Sequence, residues 1–99
     1  MEIKKPAVAG TLESSDCMVT VEPGQGGVEL DLDSVVLRQY GKQIRKVIHE
    51  TLERLEVTDG RVTVVDKGAL DCTIKARVEC AVYRSNDITD NLPWGGVIK

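Results

Sequence analysis

The sequence predicts a small α+β domain of order β-β-α-β-α, with two helices packed on one face of a three- or four-stranded sheet. Three observations predict it. Residues 17–22 and 28–33 alternate apolar and polar side chains with a period of two, as half-buried strands do. Residues 36–55 repeat apolar side chains at threes and fours, as an amphipathic helix does. A β-branched run at 61–66 then precedes a second helical stripe.

The first sixteen residues lack a strong period. Pro6, Gly10, Thr11, Ser14, Ser15 and Asp16 are loop-forming types, so about residues 1–16 are expected to be a flexible arm. Ala7 to Leu12 offers a short edge strand, the fourth of the sheet. Cys17, Val19 and Val21 then share one face, with Thr20 and Glu22 on the other. Pro23-Gly24-Gln25-Gly26-Gly27 interrupts any regular element. Val28, Leu30 and Leu32 alternate with Glu29, Asp31 and Asp33, and two alternating strands around a glycine-rich turn predict a hairpin with one acidic, solvent-facing side.

Ser34 or Asp33 is the expected cap of the long helix, because either side-chain oxygen can accept a free N–H of the first turn. Val36, Tyr40, Ile44, Val47, Ile48, Thr51, Leu52 and Leu55 form its apolar stripe, and Gly41 within it implies close packing of the backbone. Thr58-Asp59-Gly60 is a turn. Val62 to Val65 is nearly continuous in apolar character, which predicts a central strand. Residues 69–85 fit two periods. Cys72, Ile74, Ala76, Val78, Cys80 and Val82 alternate strictly, whereas Leu70, Ile74, Val78, Ala81 and Val82 make a helical stripe. Length and the abundance of Ala, Leu, Lys, Arg and Glu decide for helix. From about residue 86 to 99 a polar tail follows, in which Trp94 either packs back on the body or anchors a partner. The 99 residues hold one domain, with no internal repeat and no dividing linker.

Composition excludes several functions. Aromatics are 3% of the chain, too few for a nucleic-acid stacking platform. The net charge of -3 comes with no basic stripe that would neutralise a row of phosphates. Lys42, Arg45 and Lys46 read as a solvated helix face. The amino terminus has no apolar run of signal-peptide length, and no stretch approaches the roughly 20 apolar residues of a membrane span. The chain is therefore expected in the cytoplasm, with neither nucleic acid nor membrane as partner. Cys17, Cys72 and Cys80 are too widely spaced for a metal site or a disulfide framework, and read as buried inert thiols. His49 is the only histidine and is expected on an exposed helix face. No phosphate loop, dinucleotide fingerprint or nucleophile elbow is present, and no carboxylate pair stands out as acid and base. The residues supply no catalytic set and no metal ligands.

Two segments carry more information than the rest. Lys5-Pro6-Ala7-Val8-Ala9-Gly10-Thr11-Leu12-Glu13-Ser14-Ser15-Asp16 resembles the amino-terminal signature of the citrate lyase acyl carrier proteins, the gamma subunits of that complex. Asp66-Lys67-Gly68-Ala69-Leu70-Asp71-Cys72, followed by Ala76-Arg77-Val78-Glu79, is similar to the family's second signature. Order, spacing and length agree as well, and Leu92-Pro93-Trp94 is similar to family tails. The resemblance implies a carrier subunit and not a catalyst. It implies that Ser14, in register with the serine of Glu-Ser-(Gly or Ser)-Asp, holds 2'-(5''-triphosphoribosyl)-3'-dephospho-coenzyme A through a phosphodiester. It also implies three partners: the alpha subunit, which exchanges acetyl for citrate, the beta subunit, which cleaves the citryl thioester, and a prosthetic-group transferase. Ser15 is the competing hydroxyl, and only motif register separates it from Ser14. An accessible serine on bendable backbone suits such a role, and Gly10 and the polar residues around Ser14 are expected to supply the flexibility. Glu13 and Asp16 are expected to keep the loop solvated. The malonate decarboxylase acyl carrier is similar in layout, but Gly68-Ala69-Leu70-Asp71-Cys72 favours citrate lyase. A small binding module with an unmodified serine is the remaining alternative.

Overall fold

The computed structural model describes residues 3–24 and 26–86. Their elements are β1 (Ala7–Gly10), β2 (Cys17–Glu22), β3 (Val28–Ser34), α1 (Leu37–Arg54), β4 (Gly60–Asp66) and α2 (Asp71–Ser85). The strands form one four-stranded sheet in the order β1-β2-β4-β3. The tail expected from about residue 86, with Trp94, lies outside the described residues beyond Asn86.

The expected hairpin does not form. β2 and β3 do not pair with each other, because β4 lies between them, antiparallel to β2 and parallel to β3. The physical reason is in β4 itself. Its Val-rich run gains hydrogen-bonded neighbours on both sides only in the middle of the sheet, which is the central place its composition predicts. The chain leaving β2 therefore reaches β3 on the far side of β4 instead of turning back beside β2. The approach to β3 is pinned there at Gly27, whose N–H donates to Asp59 Oδ1 at 2.8 Å and whose carbonyl accepts the Gly60 N–H at 3.2 Å. The parallel pair needs a crossover, and α1 provides it.

The short edge strand offered by Ala7 to Leu12 forms, as β1. Ala7–Gly10 pairs antiparallel with β2 from Ala7↔Val21 to Gly10↔Met18, which satisfies the outer edge of β2 and buries Ala9. The cap expectation, by contrast, changes. The first helical residue is Leu37, its N-cap is Val36, and no side chain caps it. Ser34 is used by β3 instead, where it pairs with Asp66. Its hydroxyl donates to Asp66 Oδ2 at 2.8 Å and accepts the Val36 N–H at 3.1 Å.

The register puts Ala9, Val19 and Val64 in one row and Val21, Val62 and Leu30 in the next, all on one face. α2 covers β1 and β2 on that face, while α1 packs on α2 and toward β3. Ile48, Ile74, Val78 and Val82 complete a fully buried core. With no Phe available, aliphatic burial must hold it, at about 1.5–3 kcal/mol per buried side chain. In α2 the helical stripe prevails over the alternation: Ile74, Val78, Ala81 and Val82 are buried, whereas Cys72 and Ala76 face solvent. Buried Glu79 is neutralised by Arg54, which ties α2 to α1. The opposite face of the sheet carries Glu29, Asp31 and Asp33 in water, as the pattern predicts.

Candidate functional site

The segment between β1 and β2 is a tight turn set on the end of the ladder. Cys17 pairs with Asp66, and the pairing continues past it: the Lys67 N–H donates to Asp16 O at 2.9 Å and the Ser15 N–H to Lys67 O at 2.8 Å. The Asp16 N–H then donates to Glu13 O at 3.1 Å, closing Glu13-Ser14-Ser15-Asp16 into a β-turn. Ser14 and Ser15 are its two central residues. Ser15 has φ +65°, while Ser14 does not lie at positive φ, which is the type II pattern. That position favours glycine, and its backbone is anchored to Lys67. Ser14 is exposed at the tip, and its hydroxyl has no hydrogen-bond partner among the described residues.

Asp16 holds this turn in shape. Its Oδ2 accepts the Thr11 hydroxyl at 2.6 Å, and its Oδ1 accepts the Cys17 N–H at 2.7 Å. Arg77, on the second turn of α2, grips both oxygens, with Nε donating to Oδ1 at 3.0 Å and Nη2 to Oδ2 at 2.9 Å. The Arg77 hydrogen bonds first, and the Thr11 hydroxyl next, hold the Asp16 carboxyl well below the usual carboxylate range. The same pairing raises the Arg77 guanidinium. Thr11 braces the turn from the other side, since its Oγ1 accepts the Glu13 N–H at 3.2 Å. Asp16 is therefore a structural hub, where solvation of the loop was expected.

Gly10 plays a different part from the flexibility expected of it. At φ +98° a Cβ there would stand 1.9 Å from Cys17 O and 3.2 Å from the Arg77 Cδ. Glycine is needed because two pieces of chain pass so close, which lets the Thr11 N–H reach Cys17 O at 3.2 Å.

Asp66, fully buried, organises the neighbouring loop. Besides the Ser34 hydroxyl, it accepts the Ala69 N–H on Oδ1 at 2.9 Å, which shapes the run from Lys67 to Leu70. Residues 68–72 form one wall of an open groove of about 540 Å³, and Val36 with Tyr40, Gln43 and Ile44 of α1 forms the other. Gln43 Nε2 donates to Asp71 Oδ2 at 2.8 Å across it. The serine turn and the groove thus share the 66–72 segment, which connects the two resembling signatures in space.

The remaining candidates separate clearly. Cys17 is buried, and burial first, then the charges of Asp16 and Asp66, push its thiol up to about 12, so it is inert. Cys72 is exposed and Cys80 half-buried, a correction to the expectation of three buried thiols, because on a helix these two positions fall off the stripe of Ile74, Val78 and Val82 that faces the sheet. His49 is exposed on α1. Among the described residues no group of His, Cys, Asp and Glu is arranged to hold a metal ion. No helix among them is long and apolar enough to cross a membrane.

Sequence reading missed Arg77, which is 61 positions from Asp16. One signal was available: the two resembling segments carry one member each of an opposite-charge pair.

Comparison with known proteins bears on the same segments. Residues 4–85 match a family model described as the malonate decarboxylase delta subunit (MdcD). A citrate lyase acyl carrier protein of Vibrio cholerae is 54% identical over 95% of this chain and 96% of its own length. One from Oenococcus oeni is 50% identical over 95% of this chain and 97% of its own length. One from Clostridium perfringens is 52% identical over 96% of this chain and 94% of its own length. Among solved structures, a chain of a Pseudomonas malonate decarboxylase hetero-tetramer crystallised with malonate superposes with a TM-score of 0.74 at 19% identity, covering 84% of this chain and 86% of that one. The shared fold and the high identity along nearly the whole length lead to one assignment: the chain belongs to the citrate lyase acyl carrier protein family, whose members are carriers and not catalytic subunits.

Proposed function

We propose that Ser14 is the covalent attachment point of phosphoribosyl-dephospho-coenzyme A, donated by 2'-(5''-triphosphoribosyl)-3'-dephospho-coenzyme A as the Ser14 oxygen bonds the phosphate next to the ribose and diphosphate leaves, and that the chain presents acetyl and citryl thioesters to the alpha (transferase) and beta (lyase) subunits of citrate lyase in the cytoplasm, as citrate is cleaved to acetate and oxaloacetate. When bound, the group supplies the thiol that carries the acyl unit. The chain supplies position. The observation that carries this reading is the Ser14 hydroxyl, exposed at the tip of a turn that Asp16, Arg77 and Thr11 hold from below. The residues fit a phosphodiester there: Ser14 is exposed and its oxygen is unpartnered among the described residues. A prosthetic-group transferase needs such an oxygen, and a tether from a fixed turn raises the local concentration of the carried group at a partner's active site.

Ser15 is the less suited hydroxyl. Its place in the turn is a backbone place, where φ +65° suits glycine and the N–H is taken by Lys67. The citrate lyase system is favoured over a malonate decarboxylase by the 54% identity to a citrate lyase carrier, against 19% to the malonate decarboxylase chain. The test is transferase loading of variants, read by intact mass. Ser15→Gly is expected to load as wild type and Ser14→Ala not at all, with both folded. Loading of Ser14→Ala would refute the assignment.

A further inference from the structure

The groove beside the serine turn is shaped for more than packing. Its walls are mostly apolar, and Tyr40 presents its ring there while remaining 55% exposed. Its volume of about 540 Å³ lies within the ~300–1,000 Å³ usual for small-molecule sites. Gln43 spends one N–H on Asp71 and keeps a second N–H and its carbonyl oxygen for a ligand. An aromatic face with an amide at its edge is the arrangement that recognises a purine, by stacking and edge hydrogen bonds.

Continuity with the serine turn indicates which purine. The Ser15–Lys67 hydrogen bond of 2.8 Å ties the turn to the residue just before Gly68, where the groove wall begins. In the group proposed for Ser14, the adenosine stands one phosphoribosyl unit from the attachment oxygen, and the thiol lies at the far end of the arm. We propose that this groove receives the adenine of the group carried on Ser14, with Tyr40 as its stacking face and Gln43 at its edge. The inference rests on the attachment reading above. It gives the chain a second hold on the arm: the nucleoside end is parked against the body, and the thiol end remains free to visit partner sites. Parking shortens the swinging part and lowers the number of conformations the arm must lose at each docking.

The experiment compares amide NMR shifts of loaded and unloaded chain, with loading verified by intact mass. Loaded protein should differ at Tyr40, Gln43 and Gly68–Cys72, in addition to Thr11–Asp16. In loaded Tyr40→Ala the groove differences should collapse to the unloaded values while the serine-turn differences persist; because Tyr40 is half exposed, the unloaded variant should keep the wild-type spectrum elsewhere. Differences confined to Thr11–Asp16 in fully loaded wild type would overturn the groove proposal and leave the attachment reading standing. Groove shifts that appear in unloaded protein on raising its concentration would assign the face to a second copy, and groove shifts that require added partner subunits would assign it to them; either overturns the proposal. A missing mass increment at Ser14 would overturn the attachment reading and this inference with it.

Discussion

Two arginine–aspartate pairs with similar chemistry stand in very different regions of this molecule. Arg77 and Asp16 meet beneath the serine turn, with side chains 38% and 14% exposed, and the guanidinium fork engages both carboxylate oxygens. Arg61 and Asp31 meet on the open face of the sheet, 55% and 58% exposed, and both donors share one oxygen. The first pair also binds Thr11 and Cys17 through the same carboxylate, so it holds a loop. The second pair spans two neighbouring strands that the ladder already holds together. An ion pair matters here through what else its partners touch, and burial sets how much of the attraction survives water.

The serine turn is most sensitive at Gly10. Gly10→Ala should destabilise by about 2–4 kcal/mol, since the new methyl meets Cys17 O at 1.9 Å and also displaces the Arg77 stem. Urea unfolding midpoints measure it. A loss as small as that at an open surface position would mean that the turn yields and that Asp16 and Arg77 are not rigidly set.

Arg77→Ala is expected next, at about 1–2 kcal/mol, after allowing for the solvent that reaches the arginine. The serine turn should loosen in the same variant. Hydrogen exchange at Ser15 and Lys67 should rise more than exchange in α1. Transferase loading should slow without being abolished, because the hydroxyl is still present.

The buried-side pair is also the more sensitive to pH. The Asp16 carboxyl is lowered in the folded chain, so its contribution is full above the unfolded value of about 3.9 and is lost as pH falls through that value toward the folded one. Between about pH 6 and pH 2.5, wild type should therefore lose more stability than Arg77→Ala, in which most of that lowering is gone. Equal losses would remove Asp16 from the account. The smallest effect belongs to Arg61→Ala, which should leave the unfolding midpoint and the loading rate unchanged within error.

Much of the fold was legible in local patterns, and the failures have a common cause. Period and propensity placed both helices and the central strand, because those features depend on neighbours three or four residues away. The hairpin expectation failed because strand pairing depends on what else competes for an edge. Val62 and Val64 of β4 take the places that β3 and β2 would have offered each other. The second helix was ambiguous because Ile74, Val78 and Val82 satisfy both periods, and only packing against the sheet turns Cys72 and Ala76 outward. At the candidate site, Ser14 was legible through its resembling segment. Its support was not, since Asp16 meets Arg77 only through the packing of α2 across β1 and β2. Gly10 shows the same limit. Its residue type suggested freedom, and the fold uses it for close approach.

The central claim concerns one oxygen atom, the Ser14 hydroxyl above the Asp16–Arg77 pair. The most direct measurement is intact and peptide mass spectrometry of the chain purified from cells that assemble active citrate lyase with it. The account predicts a mass increment matching the phosphoribosyl-dephospho-coenzyme A group, localised within Glu13–Asp16 to Ser14. An unmodified chain in the active complex, or an increment carried by Ser15, would contradict it.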